Sequence, residues 1–140
     1  MSVRPFYFVT FNTYKRRAIL AGAELHEAFR SYCFRAPEHD VAVGRYVIMP
    51  DHLHLFVALP NIGTTLPAWV QMLKTVLGKR LVRLAVSKPH WQEGFFDHVL
   101  RSSESYSQKW EYVRFNPVRA ALCAEPEDWP YQGEIVPIQF

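Results

Sequence analysis

The stretch VIMPDHLHLFV, Val47 to Val57, sets His52 and His54 one residue apart inside an apolar run. On a β-strand, residues i and i+2 share a face, about 6.5–7 Å apart at Cα. Two imidazoles so placed can converge on one ion at about 2.0–2.2 Å from each nitrogen. Leu53, Leu55 and Val57 then take the opposite face and can enter a core. A lone His-x-His pair is commonly two polar residues on a wet face, and two ligands are too few for a metal site. The pattern asks for a third group.

A second candidate lies in KWEYVRFNPV, residues 109–118. On a helix, Tyr106, Trp110 and Val113 form an apolar stripe. Tyr112 is about 200° around the axis from Trp110, so it points away from that stripe. Asn116 follows four residues later and stands within about 40° of Tyr112. Tyrosine on a helix is often a packing residue, and Asn before Pro is often only a helix stop, so spacing alone leaves both readings open.

The elements that must carry these residues can be read along the chain. Its 140 residues fit one domain, 1–140, and 49% of them are apolar, enough for a core. Arg4–Thr13 is rich in aromatic and β-branched residues and reads as a strand. Helical spacing of Leu25, Ala28, Phe29, Tyr32 and Cys33 predicts a helix over Ala21–Phe34. The run VAVGRYVIM, in which Val41, Val43 and Val47 share a parity, predicts a strand. After the Pro50–Asp51 turn, HLHLFVAL predicts its antiparallel partner. A long helix follows from Leu66, with Pro67 in its first turn and a stripe through Trp69, Val70, Leu73, Val76, Leu77 and Leu84. A short strand is expected around Phe95–Leu100. A helix capped by Ser102 or Ser103 comes next, ended or interrupted by Pro117. PVRAALC restarts a short helix, and the segment from Glu125 reads as an irregular tail. The order β-α-β-β-α-β-α predicts an α+β fold: a ferredoxin-like, RRM-like antiparallel sheet with helices packed on one face.

Composition narrows the partners. The net charge of +3 favours an anionic one such as nucleic acid. No apolar run is long enough for a membrane span, and the start MSVRPFYFVTF lacks the regions of a signal peptide, so a cytoplasmic protein is expected. The two cysteines, Cys33 and Cys123, form no C-x-x-C and read as reduced packing residues.

Four blocks in order resemble the single-tyrosine transposases of the His-hydrophobic-His class, in their REP-associated branch. They are MPDHLHLF (Met49–Phe56), the lysine-bearing helix QMLKTVLGKR, WQEGFFDHVLR (Trp91–Arg101) and YVRFNPVRAAL (Tyr112–Leu122), with a Trp-Pro pair near the end. The resemblance implies that His52 and His54 are metal ligands, that Asn116 completes the metal site, and that Tyr112 is the nucleophile. Two imidazoles and an amide oxygen suit Mg²⁺ or Mn²⁺ better than a structural zinc. The implied activity is a metal-dependent nicking and joining of single-stranded, hairpin-bearing DNA through a 5′-phosphotyrosine. The protein would work as a monomer or a homodimer. Candidate phosphate contacts are Lys15, Arg16 and Arg17 in a basic loop, Lys74, Lys79, Arg80 and Arg83 on the long helix, and Arg114 and Arg119 beside the nucleophile. Tyr14 and Trp91 are candidate base-stacking residues. His90 and His98 match no ligand position. Asp51 could orient an imidazole, though its place before His52 fits an ordinary turn residue better. The competing expectation is a catalytically silent, domesticated module that only binds single-stranded nucleic acid; loss of a ligand or of the tyrosine would mark it, and all four residues are present.

Overall fold

Alternation along the strands decides which side chains face which layer. In the computed structural model, which describes residues 4–138, β1 (Phe6–Asn12) sends Val9 and Phe11 to one face and Phe6 and Phe8 to the other. β3 (His52–Ala58) likewise sends Leu53, Leu55 and Val57 one way and Phe56 and Ala58 the other. Together with β2 (Ala42–Ile48), β4 (Phe96–Val99) and β5 (Gln132–Glu134), they form one antiparallel sheet in the order β4-β1-β3-β2-β5. The first four are arranged as in the expected ferredoxin-like fold.

Two long helices cover the first face. α1 (Ala23–Phe34) buries Leu25, Ala28, Phe29 and Cys33. α2 (Leu66–Arg83) starts at Thr65, whose hydroxyl accepts from Ala68 N, and buries Trp69, Val70, Leu73, Leu77 and Leu81. It stops at Arg83, so Leu84 lies outside the stripe and Leu81 completes it.

The expectation of helices on one face holds for α1 and α2 and is corrected for α3 (Ser103–Val113), which packs on the opposite face. That face carries Phe6, Phe8, Val47 and Phe56, too much apolar surface to leave in water. α3 covers part of it with Tyr106 and Val113, and Trp129 adds to the cover while donating Nε1–H to Ile48 O at 3.0 Å. The Ser102–Ser105 capping box fixes where α3 begins.

Two further expectations need correction. Val47 does not share a face with Val41 and Val43. The β2–β3 register shifts between Val43 and Tyr46, so Tyr46 joins the α1/α2 core and Val47 turns to the α3 side. Gly44 permits this: a Cβ there would lie 2.5 Å from Tyr106 Oη, the same hydroxyl that accepts from Arg45 N at 2.9 Å. The tail expected to be irregular contains β5, paired to β2. A Cβ at Gly133 would approach Tyr46 Oη at 2.9 Å, so glycine lets this short strand close on the edge.

Lys74 ties α2 to the segment that leads into β4. It is only 5% exposed, and its ammonium donates to Gln92 O (3.1 Å) and Gly94 O (2.6 Å) above the Phe11 ring. Lys74→Met leaves both carbonyls without that donor. We expect the urea-unfolding midpoint to fall by the equivalent of about 1–3 kcal/mol; an unchanged midpoint would refute this role.

Candidate functional site

The β1–β3 register builds the histidine side of the site. Asn12 pairs with His52 and Thr10 with His54, on the face away from α1 and α2. The two imidazole centroids are 4.7 Å apart, with ring planes at 79°. Each Nδ1 is engaged. His54 Nδ1 meets Thr10 Oγ1 at 2.7 Å, and His52 Nδ1–H donates to Asp51 Oδ1 at 2.8 Å. Asp51, which the sequence presents as a turn residue, also accepts from Arg16 Nε at 3.0 Å. Hydrogen bonds from His52 and Arg16 hold the Asp51 carboxyl below its ordinary range against the opposing effect of burial. With both Nδ1 atoms occupied, Nε2 is the donor each ring can offer a ligand.

The helix side comes from a deliberate break. Pro117 has no N–H to give Val113 O, the carbonyl four residues back. The Asn116 side chain supplies the missing donor, Nδ2 to Val113 O at 3.1 Å. The helix therefore ends at Val113 and restarts as α4 (Asn116–Arg119). With Nδ2 held, the amide is fixed in orientation and Oδ1 remains as an acceptor. Tyr112 is 64% exposed, away from buried Tyr106 and Val113 as the stripe predicts. The Arg119 guanidinium lies 4.1 Å from its ring centroid and donates to Tyr112 O at 2.9 Å. His52, His54, Tyr112 and Asn116 line one cleft of about 370 Å³. Among the described residues no group of three His, Cys, Asp or Glu is placed to hold a metal ion, so a third protein ligand beside the histidines would be an uncharged one. The available set is two imidazole nitrogens and an amide oxygen, which fits a hard divalent cation.

Comparison with known proteins points the same way. A Haemophilus influenzae protein provisionally named a REP-associated tyrosine transposase is 27% identical over 120 residues, spanning 79% of this chain and 66% of its own. The Escherichia coli K12 REP-associated tyrosine transposase is 22% identical over 125 residues, 89% of this chain and 73% of its own. The chain resembles the REP-associated tyrosine transposases. No family model matches it. A solved REP-associated tyrosine transposase bound to a REP hairpin superposes with a TM-score of 0.70 at 22% identity, over 94% of this chain and 78% of that one. A Deinococcus radiodurans structure provisionally described as a transposase gives 0.58 at 18% identity, over 81% of this chain and 91% of that one. The chain thus spans about two thirds to three quarters of the length of the two curated relatives.

In this chain the cations are divided between the site and the scaffold. Arg16 and Arg119 line the cleft. So does Lys109, one turn before Tyr112, which the sequence reading passed over although its i−3 position marked it. Thr10 and Asn12 were likewise missed, because only strand pairing brings them beside the histidines. Lys74 is buried in the scaffold. Arg17 donates to Ser87 O (2.7 Å) and Pro89 O (3.0 Å), and Arg80 to Glu24 O (2.8 Å). Arg114 pairs with Glu111 and Glu127. Lys79 and Arg83 are exposed on α2, across the sheet from the histidines, and Lys15 lies over the Tyr14 ring at 5.3 Å. Trp91 packs edge-on against Phe11 and donates Nε1–H to Lys74 O, so it is a packing residue here.

Burial, helped by the nearby His52, Lys109, Arg119 and Arg16, pushes the His54 imidazole down to about 3. A neutral ring is the form that binds metal. The unfolded chain takes up a proton below its ordinary value of 6.5 that the fold refuses, so stability falls as pH drops below that value. Carbon-13 NMR of the apo protein is expected to show no change at His54 Cε1 between about pH 7.5 and 5; a normal titration there would refute the burial argument.

Proposed function

We propose that this protein cuts and rejoins single-stranded, hairpin-bearing DNA through a covalent bond between Tyr112 and a 5′-phosphate. The observation that carries this is the shared cleft: one chain brings an exposed phenol, two neutral-capable imidazoles, an oriented amide and three cations to the same wall. Relatives named as tyrosine transposases, and a similar fold seen bound to a REP hairpin, support the reading.

In the proposed reaction Tyr112 Oη attacks phosphorus, the P–O3′ bond breaks, and the 3′-oxygen leaves to become a hydroxyl. The phenolic proton passes to solvent, which reaches the exposed ring. Arg119, stacked on that ring, and Arg16 hold the phosphate by charge and fix its position relative to Oη. Attack by another 3′-hydroxyl on the phosphotyrosine reverses the step and joins strands, with no outside energy source because the ester bond is conserved. His52, His54 and Asn116 would hold Mg²⁺ or Mn²⁺, which when bound neutralises charge on a non-bridging phosphate oxygen. Asp51, which can only accept, keeps His52 in the tautomer that offers Nε2, and the Thr10 hydroxyl can accept from His54 Nδ1–H in the same way.

The test is a denaturing gel of labelled hairpin oligonucleotide, from repeats beside the gene, incubated with the protein and Mn²⁺ or Mg²⁺. We expect a covalent adduct that Tyr112→Phe and His52→Ala abolish, and that Thr10→Val weakens by about 10–100-fold in metal requirement or rate. Tight binding without adduct in both metals would overturn the proposal in favour of a binding module.

A further inference from the structure

Two clefts meet at the site. The first, about 370 Å³, contains Phe96, Lys109 and Tyr112. The second, about 490 Å³, contains Met49, Pro50 and Leu122. Both reach Arg16, His52, Asn116 and Arg119, so the two lobes adjoin with those four residues at the waist between them. Tyr112 lines only the first lobe.

Displacement at phosphorus runs roughly in line, so the leaving oxygen departs on the side opposite the attacking one. With the phosphate at the waist, the 3′-oxygen faces away from Tyr112, toward the second lobe. That leaves the first lobe free for the nucleotide whose phosphate stays on Tyr112.

The first lobe has the chemistry for it. Phe96 is 64% exposed on edge strand β4. It pairs with Thr10, which pairs with His54, so the three stand in a row on one face. Lys109 Nζ sits 4.8 Å from the Phe8 ring centroid in the same lobe. Among the described residues no carboxylate lines it. A bare aromatic ring beside a cation is what holds an unpaired base and its phosphate, with little regard to sequence.

We propose that Phe96 and Lys109 seat the nucleotide on the 3′ side of the cut. Phe96 stacks on its base, Lys109 pairs with a phosphate, and the strand bearing the new 3′-hydroxyl leaves past Met49 and Leu122. This rests on the covalent-cleavage reading above and adds a direction to it.

The test is a cycle between protein and DNA. Single-turnover adduct formation with Mn²⁺ is measured for the full chain and for Phe96→Ala on the hairpin oligonucleotide, with the cut mapped. Two further oligonucleotides lack the base just 3′ or just 5′ of the cut. We expect Phe96→Ala to raise the half-saturating concentration of intact DNA by about tenfold, and Phe96→Tyr to restore it. The loss disappears on DNA lacking the 3′ base and persists on DNA lacking the 5′ base. A loss that persists without the 3′ base, or vanishes without the 5′ base, overturns the assignment. If the wild type forms no adduct, the cleavage reading fails by itself. Fluorescence anisotropy with oligo(dT) then reads the seat: about tenfold weaker binding by Phe96→Ala supports it, and unchanged binding overturns it.

Discussion

The register of β1 against β3 is the constraint on which the site depends. It sets Thr10 and Asn12 opposite His54 and His52 and sends Leu53, Leu55 and Val57 under α1 and α2. A slip of one residue would turn those three apolar chains to water and drive both imidazoles into the core, at a cost of several kcal/mol by burial alone, on the order of 1.5–3 per side chain. The core therefore holds the histidine-bearing face in place without touching it. The bulge at Gly44 belongs to the same arrangement. It turns Val47 toward the α3 side, where it thickens the layer against which α3 rests.

The second half of the site is set by a local conflict in the helix. An uninterrupted helix would give Tyr112 and Asn116 a common face, but would leave the amide free to rotate. Pro117 withholds one hydrogen bond, and the side chain that replaces it becomes oriented. Arg119, carried one turn further on, folds back over the tyrosine. The break thus arranges three side chains that a straight helix would only have lined up.

Much of this was legible in the sequence because it is local. The His-x-His alternation, the stripe through Tyr106, Trp110 and Val113, and the four-residue step from Tyr112 to Asn116 all follow from strand and helix periodicity. What escaped depends on contacts distant in the chain. α3 chose the far face of the sheet because of Phe6, Phe8 and Phe56. β5 is three residues with no strand propensity, formed by an open edge. Lys74 looked like a surface cation and is a buried donor, since periodicity cannot tell a lysine beside the stripe from one that reaches through it to two carbonyls. Thr10, Asn12, Lys109 and Phe96 gain meaning only when the strands pair and α3 lies across them.

The Asn116–Pro117 pair also bears on how the site ages. Asparagine usually loses its amide when the next residue's backbone nitrogen attacks the side-chain carbonyl and closes a succinimide ring. Proline's nitrogen carries no hydrogen, so that route is blocked at this position. The proline that leaves this amide to cap Val113 O also guards it from slow conversion to a carboxylate, which would put a negative charge in the cleft it shares with His52 and His54. A neutral acceptor at residue 116 is thereby a property the chain keeps over its working life.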